Sequence, residues 1–206
     1  MFDELDCNPE TVLTYILAIS ICLAGCISYL PQYYSLIKSE QIKGISEISL
    51  LIMNIAGATL AANAFILNYW RFQCYETCSF WICTGRLLSL IQIFIGWLVV
   101  IPLYFIFIRF KIKGSKKRVL SDIRYIMTYL IFVGIMILIG LVDRALDSNS
   151  AIFFRVAATI LGIIAAICSA IIWIPQIVKL IKTQDPRGLS LLMFFLQTPG
   201  NIMIII

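Results

Sequence analysis

Apolar residues run almost unbroken through six stretches of the chain, about 11–37, 45–69, 79–108, 123–142, 152–181 and 188–206. The runs 11–37, 87–108 and 156–181 carry no polar face at helical spacing, as a surface helix of a water-soluble domain would. Each stretch is long enough to cross about 30 Å of hydrocarbon at about 1.5 Å per residue. The pattern therefore predicts an all-α membrane protein with six spans in this chain, joined by short polar connections. The strongest interruption is RFKIKGSKKRVLSD at 109–122, which is basic and contains glycine. The last span reaches Ile206 without a flanking charge, so residue 206 is not expected to be a natural end.

Composition agrees with this pattern. Hydrophobic residues make up 61% of the chain, charged residues 13%, and the mean hydropathy is +0.97. A soluble domain carries roughly 25% charged residues. The N-terminal decapeptide is acidic where a signal peptide would be basic, so the first span is read as retained. Histidine is absent, and the seven cysteines show no CxxC spacing, so no metal site and no cofactor are expected. The chain also lacks a buried carboxylate pair, a glycine-rich phosphate loop and a serine-nucleophile motif, so it is not expected to be an enzyme.

The basic residues set an orientation. Lys38, Lys43, Arg109, Lys111, Lys113, Lys116, Lys117, Arg118, Arg124, Lys179, Lys182 and Arg187 fall on one side of the predicted bundle. Only Arg71, Arg86, Arg144 and Arg155 fall on the other. The rule that cytosolic loops are positive makes the first side cytosolic and places the N-terminus in a lumen or outside. The basic loop then lies against anionic lipid, which excludes nucleic acid as its partner. Arg86, early in the third run, reads as an interfacial arginine. Cys22, Cys26 and Cys168 read as packing residues. Cys7, Cys74, Cys78 and Cys83 fall on the lumenal side, where disulfides persist, with their pairing open.

One pattern recurs. PQYYSLIKSEQIKGIS at 31–46 aligns without gaps with PQIVKLIKTQDPRGLS at 175–190, an offset of 144 from Pro31 to Pro175. Pro, Gln, Leu, Ile, Lys, Gly and Ser are identical, which marks an internal repeat. Both copies lead to the basic side, so the repeated units run parallel. Three-span units joined directly would be inverted, and the extra span 123–142 restores the direction. The expected plan is three helices, a linker helix and three more, the seventh falling outside this chain. Its parts are a first unit at 1–110, a basic loop and linker helix at 111–145, and a truncated second unit at 146–206.

The doubled Pro-Gln, each followed by a basic loop and Gly-hydrophobic-Ser, resembles the PQ-loop repeat family. That group includes lysosomal and vacuolar amino-acid exporters such as cystinosin and is related to the SWEET sugar transporters. Trp70, Cys74, Cys78, Cys83, Gln92, Trp97 and Pro102–Tyr104 are similar to a poorly characterised fungal and protist branch. The resemblance implies a lysosomal or vacuolar transporter of a small polar solute, an amino acid foremost, working by alternating access of two three-helix bundles. A SWEET-like sugar uniporter is an alternative. So is a non-transporting receptor or scaffold of the KDEL-receptor kind, with a peptide or cytosolic partner; a homo-oligomer is also admitted.

Within that plan the prolines become hinges. A proline inside a helix removes one backbone hydrogen bond and crowds the carbonyl a turn back, and in lipid the freed carbonyl needs another partner. Pro31 with Gln32 and Pro175 with Gln176 are the expected hinge pairs near a cytosolic gate. Each glutamine would serve either its own freed carbonyl or a facing helix. Intramembrane polar residues mark a candidate solute site between the halves: Asn63, Gln92, Trp97 and Asn201. Proton-coupled relatives carry a carboxylate seven residues past the motif serine, where this chain has Met53 and Gln197. Glu47 and Asp143 stand only at span edges, which points to facilitated diffusion or to no transport.

Overall fold

The computed structural model describes residues 11–39, 45–113, 127, 131, 134, 135 and 151–184. Among these, helices account for nearly all the structure and no strand occurs. They are α1 (Val12–Ser39), α2 (Glu47–Asn68), α3 (Cys74–Thr77), α4 (Phe80–Arg86), α5 (Leu88–Lys113), α6 (Ala151–Ile171) and α7 (Trp173–Thr183), with a 3₁₀ turn over Tyr69–Gln73. Four segments are long and apolar enough to cross a membrane: Val12–Lys38, Glu47–Asn68, Leu88–Phe110 and Arg155–Lys182. The expected linker span 123–142 is represented by four helical residues only, and 188–206 lies outside the described residues.

One expected span is interrupted. The run 79–108 forms α4 and then α5, turning at Leu87 (φ −95°, ψ 4°), so only α5 spans. Arg86 consequently sits at the joint between α4 and the spanning helix. The run 152–181 forms α6 and α7 on either side of Ile172, which keeps right-handed helical angles (φ −50°, ψ −34°) and donates its N–H to the Cys168 carbonyl at 2.9 Å, so the two cross as one span. α1 likewise continues through Pro31 and α5 through Pro102.

The packing order is not the chain order. α1 packs against α5, α5 against α2, and α2 against α6, giving the row α1–α5–α2–α6. The core of the row gathers Leu36, Ile45, Leu50, Leu51, Leu103, Tyr104, Phe107 and Ile108 toward the α1–α2 connection. Ala64, Leu87 and Leu90 form a smaller cluster at the opposite end. Outward-facing side chains of α1, among them Leu13, Ile16, Leu17, Leu23 and Ile27, stay exposed, which suits a helix whose surroundings are lipid. Polar residues on the spans bond backward to their own helix. Asn54 Nδ2 donates to the Leu50 carbonyl (2.9 Å), Asn68 Nδ2 to Ala64 (2.7 Å) and Thr59 Oγ1 to Ile55 (2.8 Å).

α2 meets α5 over Gly57. A Cβ built there would lie 2.7 Å from Trp97 Cδ1, so the indole occupies the space that a side chain would need. The clash is with a packed ring rather than a flexible tip. Gly57→Ala is therefore expected to cost about 1–3 kcal/mol, the range for overpacking a core. A thermal melt in detergent micelles checks this, with Gly57→Ala in a Trp97→Leu background expected to recover most of the loss.

A folded cap joins α2 to α5. Phe65, Tyr69 and Phe72 cluster, with Phe65–Phe72 centroids 5.8 Å apart. A disulfide links Cys74 to Cys83 (Cα–Cα 5.6 Å), and Cys78 is likewise disulfide-bonded. Arg71 Nη1 donates to the Arg86 carbonyl (3.1 Å), and the Tyr15 hydroxyl donates to the Trp81 carbonyl (2.8 Å). Gly85 provides the room for that tyrosine, because a Cβ there would collide with its hydroxyl. Cys22, Cys26 and Cys168 are free thiols on the spans, as expected of packing residues.

Candidate functional site

The Gly-hydrophobic-Ser motif acts first as a helix start. Ser46 is the N-cap of α2 (φ −87°, ψ 121°), and its Oγ accepts from the Ser49 N–H at 3.3 Å. Ile45 before it and Leu50 after it lie in one core cluster, forming a hydrophobic staple that fixes the entry angle. The remaining donor, the Ser46 N–H, is taken by the other repeat: Gln176 Oε1 accepts from it at 2.8 Å in a buried contact. The Pro-Gln of the second unit thus caps the Gly-X-Ser of the first, 130 residues away in sequence.

A second contact reaches the backbone beside Pro175. Ser49 Oγ donates to the Ile172 carbonyl at 2.6 Å, also buried. Ile172 lies three residues before Pro175, in the turn where α6 gives way to α7. Of the two roles open to the glutamine, Gln176 Oε1 takes the facing helix. A side chain also enters the backbone of α5 just before Pro102. Tyr33, which follows Pro31-Gln32, donates its hydroxyl to the Val99 carbonyl, and the Leu103 N–H bonds to that tyrosine hydroxyl. Val99 and Leu103 would be partners in an unbroken helix, so the tyrosine is inserted into the ladder. Gln32 itself is buried.

The other predicted residues divide among interfaces. Asn63 Nδ2 donates to the Ala158 carbonyl on α6 at 2.6 Å, and Gly162 leaves room for that amide. Gln92 Nε2 donates to the Ala18 carbonyl on α1 at 2.5 Å. Trp97 lies between α5 and α2. From the Gly57–Trp97 crossing, Asn63 is about 9 Å further along α2 and Gln92 about 8 Å back along α5, at about 1.5 Å per residue. The two amides therefore share a level in the bundle but bond away from each other, to α6 and to α1. Asn201 lies outside the described residues.

The α2–α6 seam is periodic. Ser49, Ala56 and Asn63 recur at seven residues on α2, and Ala158, Ala165 and Ile172 recur likewise on the partner strand of the seam. Ser49, Ala56, Ala158, Ala165 and Ile172 are buried. Hydrogen bonds close both ends, Ser49 to Ile172 at one and Asn63 to Ala158 at the other. Small residues between them let the backbones approach, as in membrane helix pairs generally. Ser49 is the seam residue that the sequence reading passes over. Its spacing with Ala56 and Asn63 is the signal that finds it.

These features define a polytopic helical membrane protein whose repeated halves join through their own repeat motifs. The family profile described as PQ loop repeat matches residues 13–73 and 157–206, more than half of the chain, and the chain belongs to that family. It is similar to an uncharacterized protein of the fission yeast Schizosaccharomyces pombe, 26% identical over 221 residues, covering 96% of this chain and 71% of the relative. That likeness agrees with the expected fungal branch. No solved structure matches.

Proposed function

We propose that the chain transports a small polar solute, foremost an amino acid, by alternating access in a lysosomal or vacuolar membrane with its N-terminus in the lumen. The observation that carries this reading is the α2–α6 seam, bonded at both ends across the two repeats. Rocking that opens the cytosolic end breaks Ser46–Gln176 and Ser49–Ile172 while Asn63–Ala158 holds as the pivot. Rocking the other way breaks Asn63–Ala158 and keeps the Gln176 end closed. Gln32 and Ser190 are the sequence counterparts of Gln176 and Ser46, so the first hinge is proposed to work the same way. Trp97 and Asn201 remain solute contacts in this proposal, with the second amide atoms of Asn63 and Gln92. The Cys74–Cys83 bridge supports the lumenal placement of the cap, because disulfides persist in oxidising compartments.

The test is uptake into proteoliposomes by the full-length protein, with a panel of amino acids and sugars. Saturable flux for an amino acid is expected. Saturable flux for a sugar alone would move the chain to the uniporter alternative, and no flux from protein shown to be folded would overturn transport. One observation favours a second reading, a receptor or scaffold. Asn63 and Gln92 already spend an amide N–H on neighbouring helices. On the four long spans described, the sole acidic residue is Glu47, at the very start of α2. Capture of a defined partner by the cytosolic loops, without flux, would establish that role.

A further inference from the structure

Cys78, the third cysteine of the cap, is disulfide-bonded, yet Cys74 and Cys83 pair with each other. Cys22, Cys26 and Cys168 keep free thiols. The chain holds seven cysteines, and these assignments use every possible partner of Cys78 but one. The remaining one is Cys7, which lies outside the described residues. The surroundings of Cys78 agree with the count. The cap already reaches α1, since the Tyr15 hydroxyl donates to the Trp81 carbonyl at 2.8 Å. Trp81 follows Cys78 by three residues, and Tyr15 stands one turn after Thr11, whose carbonyl accepts from the Tyr15 N–H. Cys7 precedes Thr11 by four residues, a reach of up to about 14 Å. Cys74 and Cys83 are sealed, whereas Cys78 is half-buried and open to a segment arriving from outside the cap.

We infer that Cys7 and Cys78 form a disulfide that ties the segment before α1 to the cap. In its formation the two thiols lose their S–H bonds and one S–S bond is made. Two protons pass to water, and two electrons pass to a disulfide-carrying oxidant, whose own S–S bond is reduced to two thiols. A bridge needs both sulfurs on one side of the membrane, so the N-terminal segment and the cap share a compartment, and an oxidising one. The ring that it closes contains the whole of α1 and α2. Cys74–Cys83 staples the cap within itself, whereas the second bridge holds the cap against α1, beside the Tyr15–Trp81 bond. The cap also joins α2 to α5, so the outer ends of three spans are fastened together. The bridge does not depend on transport.

The test is a thiol map of the full-length protein purified from membranes. Free thiols are alkylated with N-ethylmaleimide under denaturing conditions without reductant, at mildly acidic pH to suppress exchange through thiolates. Chymotrypsin, cutting after Tyr75 and Trp81, separates Cys78 from Cys74 and Cys83 before mass spectrometry. A peptide carrying Cys7 joined to one carrying Cys78 is expected, and it should disappear on reduction. Cys78 found alkylated, joined to a cysteine other than Cys7, or joined to a second copy of the chain overturns the proposal. Cys7→Ser leaves the Cys74–Cys83 bridge in place. In that variant amide exchange over Val12–Ala18 is expected to rise several-fold, because the start of α1 is no longer held to the cap. Exchange as slow as in the wild type would overturn the fastening of α1, even with the bridge present. The wild-type map decides the pairing even if Cys7→Ser fails to fold.

Discussion

Gln176→Leu is expected to destabilise the folded protein by about 1–3 kcal/mol, because it leaves the Ser46 N–H buried and unpaired at the start of α2. Hydrogen bonds between membrane helices average about 0.6 kcal/mol in double-mutant cycles, since the unfolded reference finds partners too. Ser46 argues for a value above that average, because its donor is a backbone group that cannot turn elsewhere. The substitution keeps volume and adds apolar surface, so loss of packing does not explain a drop. Gln176→Glu retains an acceptor beside the positive end of α2 and is expected to recover most of the stability. Adding Ser49→Ala to Gln176→Leu should cost more than either alone, with coupling, since the two bonds close the same end of one seam. Cys168 provides a native reporter. Its carbonyl receives the Ile172 N–H, and its thiol is free. In a chain with Cys22 and Cys26 replaced by alanine, Gln176→Leu should speed Cys168 alkylation several-fold. Unchanged melting and unchanged alkylation would mean that the Gln176 contact does not hold the halves together.

The spans were legible where charge or polarity bounds an apolar run. The run 11–37 becomes α1 at Val12–Ser39, ending beside Lys38, and 45–69 becomes α2 at Glu47–Asn68, starting at the Ser46 cap. Hydrophobicity alone fails at 79–87. Phe80 and Trp81 are as apolar as a span, yet they belong to a cap helix tied down by Tyr15 and by a disulfide. Those partners are distant in sequence, so the turn at Leu87 has no local signal. The proline positions announce a weakened ladder without saying where it opens. Both copies pass through the proline as one span, and they differ in the partner of the serine nearby. Ser49 draws off the Ile172 carbonyl, whereas Ser28 bonds within its own helix to Gly25 at 2.6 Å.

The candidate site was legible as a set of residue types and illegible as a set of contacts. The repeat singles out Pro31, Gln32, Pro175 and Gln176, but each contact is chosen by the row α1–α5–α2–α6, which periodicity does not contain. Asn63 and Gln92 illustrate the cost of that ignorance. An amide in a membrane helix seeks any carbonyl within reach, and both found a neighbouring backbone first.

Breaking the Cys74–Cys83 bridge is expected to have the largest effect on the end of the fold that carries the cap. Loop closure over a sequence separation of 9 gives about 2.5 kcal/mol by the chain-entropy relation. The elements that it joins cannot hold themselves. α3 has 4 residues and α4 has 7, well below the length at which a helix is stable alone. Both cysteines are fully buried, so a serine there also places a hydroxyl in an apolar site. Loss of the bridge should loosen the Trp81 carbonyl from Tyr15 and the Arg86 carbonyl from Arg71, which releases α1 and α5 from the cap. Cys83→Ser is therefore expected to lower the melting temperature by several degrees. Cys74→Ser/Cys83→Ser should cost little more, because the first change already opens the loop. Reductant should bring the wild type down to the level of the double variant, apart from any further loss through Cys78, and should shift the double variant less. Wild-type protein that melts unchanged in reductant would show that the cap is held by its aromatic cluster and Tyr15 instead.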